Sequence, residues 1–453
     1  MEFYLPKPFE QRMRQQLGTE FDLYLESLKE PAPVSVRINR AKNADAASAD
    51  VVGWENDGFY LSERPVFTLD PLFHAGMYYV QEACSMFAGY AIKTLLGDNV
   101  SNSAILDLCA APGGKSTHYA SMIGDNGLLV CNEVIGSRVP ILQENLAKWG
   151  RPNVIITKSD PSEFGKLGGF FDVVAIDAPC SGEGLFRRDY SAMDEWSVEN
   201  AELCAQRQRR IIADAWNCIK PGGYLVYSTC TFNPNEDELN MDWIAQNYDA
   251  ENVQLPINEK WGICKIEYNG LQGYRFIHYK TKGEGFFLCV FRKKDGDVAN
   301  WQKGKVKKHL QHAPQALIKQ TTPMLIGNFE FYLNNDEIRA IPASIDKQYQ
   351  YLCDKLHVVG AGIETAKVFG NKLQPQHELA MSNNINRQYF NTIDLNLNDA
   401  LKYLHRDAIF VEGAKQGINL VTYKNTPLGW VKNLGTRWNN LYPQNWKIRM
   451  NLP

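Results

Sequence analysis

Between residues 103 and 292 the sequence alternates short apolar runs with amphipathic stretches, and this alternation leaves few folds open to the chain. AILDLCA (104–110), LLVCNEV (128–134), NVIITKSD (153–160), FDVVAIDAP (171–179) and PGGYLVYSTC (221–230) each have the length and β-branched content of a buried strand. Helical patterns separate them, from Ser116, over Ser137–Trp149 and over about 200–219. Strands that alternate with helices predict a doubly wound parallel α/β sheet. YRFIHY (274–279) and GFFLCVF (285–291) are expected to finish it as an antiparallel edge. Residues 96–295 are thus read as a Rossmann-like domain. Open sheets of this kind bind ligands beyond the carboxyl ends of their strands, so the functional residues are sought there.

The first of those ends is a glycine turn. In LDLCAAPGGKST (106–117), Gly113 and Gly114 let the backbone turn tightly and approach a ligand closely. The pattern is neither G-x-G-x-x-G nor G-x-x-x-x-G-K-[ST], which disfavours a dinucleotide and a nucleoside triphosphate. Glu133 ends the second strand, where it is placed to accept hydrogen bonds from a ribose. Asp160 follows the third, within reach of an adenine amino group, and Asp177 ends the fourth, near a cofactor's reactive end. Cys180 and Cys230 follow the fourth and fifth strands, and adjacent strands bring their ends together.

Taken together, DLCAAPGGKST, DAPCSGEG (177–184) and YSTCTFNPNEDE (227–238) resemble the signatures of the Sun family (NSUN) of RNA (cytosine-5) methyltransferases, over about 190 residues of the chain. The resemblance implies a class I methyltransferase domain dependent on S-adenosyl-L-methionine. It implies that the backbone of Cys109, Ala110, Ala111, Pro112, Gly113, Gly114 and Lys115 cradles the methionine end, with Glu133, Asp160 and Asp177 taking the remaining contacts. The nucleophile is then Cys230, with Cys180 assisting product release and Asp177 contacting the cytosine edge.

That chemistry needs a thiolate. Carbon 5 of cytosine is a poor nucleophile until a sulfur adds at carbon 6, which makes the ring enamine-like; loss of the carbon 5 proton later lets the thiol leave. Either cysteine answers the description. DNA cytosine methyltransferases use the cysteine of a Pro-Cys pair, which here is Cys180, so the family assignment of Cys230 stands against a rival. Amino-methyltransferases are disfavoured, since they place [DNS]-P-P-[YFW] where this chain reads Asp-Ala-Pro-Cys. The other cysteines are scattered, with no C-x-x-C pair, and are read as buried thiols; neither a disulfide framework nor a metal site is expected.

Charge points to the partner. Residues 301–453 carry 19 Lys and Arg against 11 Asp and Glu, while 1–300 carry 29 against 40. A basic module joined to an acidic catalytic unit suits a polyanion substrate. Residues 381–453 resemble the PUA-like module of the family's bacterial small-subunit rRNA members, the RsmF type. Lys424, Trp430, Lys432, Arg437, Trp438, Tyr442, Trp446 and Lys447 there offer cations for phosphates and rings for bases. Arg187, Arg188 and Tyr190 are expected beside the flanking nucleotides, and Arg37 is expected to face RNA. Residues 1–95 are read as a small α/β element with a helix over Phe9–Leu28, a strand at 34–39 and a helix over 71–97. Residues 296–380 are read as a basic linker and a middle domain, and 420–434 as a hairpin turning at Asn425-Thr426-Pro427. No apolar run of membrane-spanning length and no signal-peptide core occurs, so a cytoplasmic monomer acting on ribosomal RNA is expected. Transfer RNA is the other candidate substrate. A non-catalytic assembly factor is the competing class, and retention of both cysteines and every acidic position argues against it.

Overall fold

The computed structural model describes residues 4–45, 48–298, 310–370 and 372–453. Its centre is a ten-stranded sheet. Five strands run parallel: β1 (Ala104–Asp107), β2 (Leu128–Asn132), β3 (Val154–Thr157), β4 (Phe171–Asp177) and β5 (Ile219–Thr229). Their spatial order is β3-β2-β1-β4-β5, so the winding reverses between β1 and β4. Strand Phe286–Lys293 pairs antiparallel with β5, and Leu271–Phe276 pairs antiparallel with that strand, as the apolar runs at 274–279 and 285–291 predict. Two apolar layers cover the sheet's faces. Every residue of β2 and β3 is buried, which is why these strands read as continuous apolar runs rather than alternating ones.

Ahead of this domain lies a four-stranded sheet in the order 51–52, 55–61, 34–38, 78–79. The helix expected over Phe9–Leu28 is broken into Lys7–Leu17 and Phe21–Ser27, because Gly18 at φ +53° ends the first segment. The single helix expected over 71–97 is also absent. Gly76 turns the chain at φ +70°, Tyr78 and Tyr79 pair with Ile38 and Arg37, and only Phe87–Leu96 forms a long helix. Apolar spacing over 71–86 mimics a helix face while the residues pack into three different clusters.

Beyond the catalytic sheet, the expected basic linker falls largely at 299–309, outside the described residues. The middle region holds a four-stranded sheet (329–334, 337–342, 363–369, 372–375) and the helix Asp346–Lys355. Its strand Val358–Ala361 leaves that unit to pair antiparallel with β3, extending the catalytic sheet by one strand. A last sheet (391–395, 417–423, 426–433, 438–440) closes the chain. Its hairpin turns one residue earlier than the proline suggests, at Lys424 and Asn425 with φ +48° and +59°. Pro427 instead lies inside strand Thr426–Asn433, where the register slips. Among the described residues no helix is long and apolar enough to cross a membrane.

Candidate active site

The glycine turn comes out where the sheet winding reverses. Gly113 at φ +112° precedes the helix Gly114–Met122, a conformation that disfavours any residue with a Cβ. A Cβ on Gly114 would stand 3.3 Å from the Tyr79 ring, which would have to give by a few tenths of an ångström to admit it. The turn is tied to the helix Val139–Trp149, whose Asn145 amide donates to the Pro112 carbonyl at 2.8 Å. A cavity of about 230 Å³ opens above it. Of the residues expected to hold a cofactor, Cys109, Ala110, Ala111, Pro112, Gly114, Lys115 and Asp177 line this cavity. Glu133 stands outside its wall, buried just past β2, where it accepts the Ile135 N–H at 2.8 Å and lies 3.5 Å from Arg138. Asp160 is half exposed and caps the short helix Pro161–Gly165 through the N–H and hydroxyl of Ser162.

Lys115 reaches back from the helix to Asp177, with Nζ 2.8 Å from Oδ2, and Ser228 donates to the other carboxylate oxygen at 3.0 Å. Burial disfavours the Lys115 ammonium, but Asp177 outweighs it and the pKa is raised, so a fixed positive charge stands at the cavity. Cys180 and Cys230 meet across the ends of β4 and β5 with their sulfurs 3.2 Å apart, and the Cys230 N–H donates to Cys180 Sγ at 3.4 Å. The hydrogen bond with Cys230, followed by burial, pushes the Cys180 thiol well up. Cys180 is therefore held as a thiol beside its neighbour.

Two carboxylates that carry no role in the sequence reading fix this pair. Glu183, three residues past Cys180, is fully buried and accepts the N–H of Phe232, two residues past Cys230, at 3.2 Å. It also accepts from Arg12 at 2.6 Å, Trp196 at 2.9 Å and Asn233 at 3.3 Å. Glu236, six residues past Cys230, accepts the N–H of Ser181 at 2.9 Å and the Ser181 hydroxyl, and receives the Gln208 amide at 2.9 Å. Each cysteine loop thus sends a buried acid to brace the other. The Gly184 N–H closes the frame by donating to the Cys230 carbonyl at 2.9 Å. The signal was in the two motifs: acids inside otherwise small or apolar turns, which a fold buries only if it satisfies them.

Asp107 is the third residue the sequence reading passed over. It ends β1, lines the cavity, is 1% exposed and accepts the Ser116 hydroxyl at 2.6 Å. Burial pushes its carboxyl up to about 7, against an ordinary value of 3.8. The unfolded chain releases this proton first, so the strain on the folded state grows as pH rises between those values. Stability of the ligand-free protein is expected to fall from pH 4 towards 7 by an amount attributable to Asp107. Melting curves across that range should lose this part of the slope in Asp107→Asn; an unchanged slope would show that Asp107 is not its source.

The RNA-facing expectations divide. Arg37 is a correction: it is 1% exposed, bonded to Gln81, Thr117 and the Gly114 carbonyl, and stacked on Trp149. It ties the N-terminal sheet to the glycine-turn helix instead of meeting solvent. Arg187 is buried on Gly283 and Glu284, whereas Arg188 and Tyr190 are exposed. In the terminal module, Trp430 and Tyr442 belong to the core, with Trp430 donating to the Gln376 carbonyl. Trp446 packs against His377 and Lys148. Trp438 is half-buried beside Phe410, while Lys424 and Arg437 are exposed and Lys432 and Lys447 half-buried.

Comparison with known proteins agrees with this architecture along the chain. The family model described as 16S rRNA methyltransferase RsmB/F matches residues 94–292, that for the N-terminal domain of 16S rRNA methyltransferase RsmF matches 5–83, and that for the methyltransferase RsmF PUA domain matches 390–448. The ribosomal RNA small subunit methyltransferase F of Escherichia coli O139:H28 (strain E24377A / ETEC) is 29% identical, over 97% of this chain and 96% of its own. Among solved structures, a methyltransferase homologue from Pyrococcus horikoshii is 28% identical with a TM-score of 0.54, covering 64% of this chain and 95% of that one. NSun6 from the same organism, solved with SFG, shares the fold at 19% identity and a TM-score of 0.51, over 64% and 98% of the two chains. With a glycine-turn cavity, two strand-end cysteines and three successive matched segments, the chain is similar along its length to the RsmB/F 16S rRNA methyltransferases.

Proposed function

We propose that the protein transfers a methyl group to carbon 5 of a cytosine in small-subunit ribosomal RNA, with Cys230 as the covalent nucleophile. The observation that carries this reading is the pair of sulfurs 3.2 Å apart just past the ends of β4 and β5, the strands whose Asp177 and Ser228 are bonded to each other and whose Asp177 lines the cavity with Lys115. S-adenosylmethionine is the family's donor, and when bound it supplies an electrophilic methyl group. The residues present suit it: two acids, Asp107 and Asp177, line the cavity with a turn that Gly113 forms at φ +112°. Cys109–Lys115 would hold the amino-acid end, with Glu133 and Asp160 on the ribose and adenine side.

The chain's own groups account for the remaining steps. A flipped cytosine entering the cavity meets Asp177, which orients its edge, at an unstacking cost of a few kcal/mol. Cys230 Sγ adds to carbon 6, forming a carbon–sulfur bond and moving electron density to carbon 5. The Lys115 ammonium, held charged by Asp177, interacts with Cys230. Once carbon 5 carries the methyl group, its proton leaves to a base, a step that Cys180 assists from its place 3.2 Å from Cys230. Re-formation of the 5,6 double bond expels Cys230. Retention of this complete set favours an enzyme over a binding-only assembly factor.

Bisulfite sequencing of ribosomal and transfer RNA, from cells with and without the protein, tests the reading. One cytosine of 16S rRNA is expected to lose its protection when the protein is absent. An unchanged cytosine map would overturn it.

A further inference from the structure

A second cavity, of about 600 Å³, adjoins the first. The two share a wall made of Val80, Gln81, Glu82 and Arg188. The far side of the second cavity is the N-terminal sheet, with Pro31–Ser35 and Leu61–Arg64. Two of its three acids are already engaged. Glu82 accepts the N–H groups of Cys84, Ser85 and Glu284, and Glu284 is paired with Arg187 and His278. Arg188 differs from its neighbour Arg187: it is exposed at the rim of both cavities and, among the described residues, makes no ion pair.

From this geometry we infer that the nucleotide adjoining the target cytosine docks in the second cavity, and that Arg188 holds the phosphate linking the two. The inference rests on the proposed reading that a single cytosine is drawn into the first cavity. A flipped nucleotide stays covalently joined to its neighbours, so the linking phosphate must cross the wall between the compartments. A guanidinium stands at that crossing, with donors in a planar fork matched to phosphate oxygens. The proline-flanked, half-buried far side suits an unstacked base better than a continuing duplex. Arg188 is thus a positioning residue for the substrate strand, and the second cavity selects the neighbouring base.

The test uses the full chain and small-subunit particles or 16S rRNA lacking the modification. RNA affinity, methyl transfer and S-adenosylmethionine affinity are measured for the wild type, Arg188→Ala, Arg188→Lys and Ala32→Trp, which fills the far side. Arg188→Ala is expected to weaken RNA binding about tenfold and raise KM with little change in kcat. It should also flatten the dependence of log affinity on log salt by about 0.7, the contribution of one single-strand phosphate. Arg188→Lys should restore part of the affinity, and Ala32→Trp should raise KM without changing the salt slope. Donor affinity should be unaltered throughout. Unchanged RNA affinity in both Arg188→Ala and Ala32→Trp, or a loss of donor affinity in its place, would overturn the inference. If the wild type labels an atom other than carbon 5 of cytosine, the proposed chemistry fails while the affinity comparison still decides the docking.

Discussion

Cys230→Ala should abolish methyl transfer, with a fall on the order of 10⁴-fold or more, because a covalent route loses its first bond-forming step. Cys180→Ala should behave differently. With its partner sulfur 3.2 Å away removed, Cys230 still adds to the base, but expulsion of the methylated product slows. The expected result is an RNA–protein adduct that survives denaturing electrophoresis in Cys180→Ala and is absent in Cys230→Ala. The opposite pattern, an adduct trapped by Cys230→Ala alone, would reverse the two roles and make the Pro-Cys cysteine the nucleophile. The structure bears on this choice through charge. The thiol of Cys180 is held protonated by its bond to Cys230 and by burial, while Cys230 interacts with the Lys115 ammonium.

Glu183→Ala is expected to destabilise the protein by roughly 3 kcal/mol, as removing one member of a buried charged network typically does. Arg12, the Trp196 indole, the Phe232 N–H and the Asn233 amide all lose their acceptor, and Arg12 is partly exposed, which keeps the loss below that of a sealed ion pair. Denaturant unfolding of the variant, compared with Glu183→Gln, measures it. Glu183→Gln keeps an acceptor for the N–H groups and should recover part of the loss. Activity should fall further than stability alone explains, since the loop bearing Cys180 is no longer braced against the loop bearing Cys230. If Glu183→Ala unfolds like the wild type, the acid is not part of the frame and the mutual bracing is illusory.

Much of the central sheet could be read from the chain because its strands are buried on both faces, and continuous apolar runs such as Val173–Ile176 have few other uses. The glycine turn was legible for a similar reason, as Gly113 needs a conformation few residues adopt. What escaped the reading was decided by distant partners. Arg37 looks like a surface cation in VSVRIN, yet four groups between 81 and 121 bury it. Glu183 and Glu236 stand 53 residues apart in sequence, and nothing local says that each reaches the other's loop. Asp107 lies in full view within LDLCAAPGGKST, but its raised pKa comes from burial, which only packing reveals. The middle sheet was missed because its strands mix buried and half-exposed positions irregularly, so no clear periodicity marks them.

One consequence of the strand Val358–Ala361 concerns how this protein can be divided. By lying along β3 it occupies hydrogen-bonding groups that would otherwise line a bare flank of the catalytic unit. A catalytic fragment ending near residue 295 would carry that flank uncovered, with flat, apolar Val154–Thr157 available to any passing backbone, and would tend to stick to copies of itself. The catalytic sheet and the middle unit are thus joined by a shared seam, so their separation is set by backbone hydrogen bonds rather than by linker length.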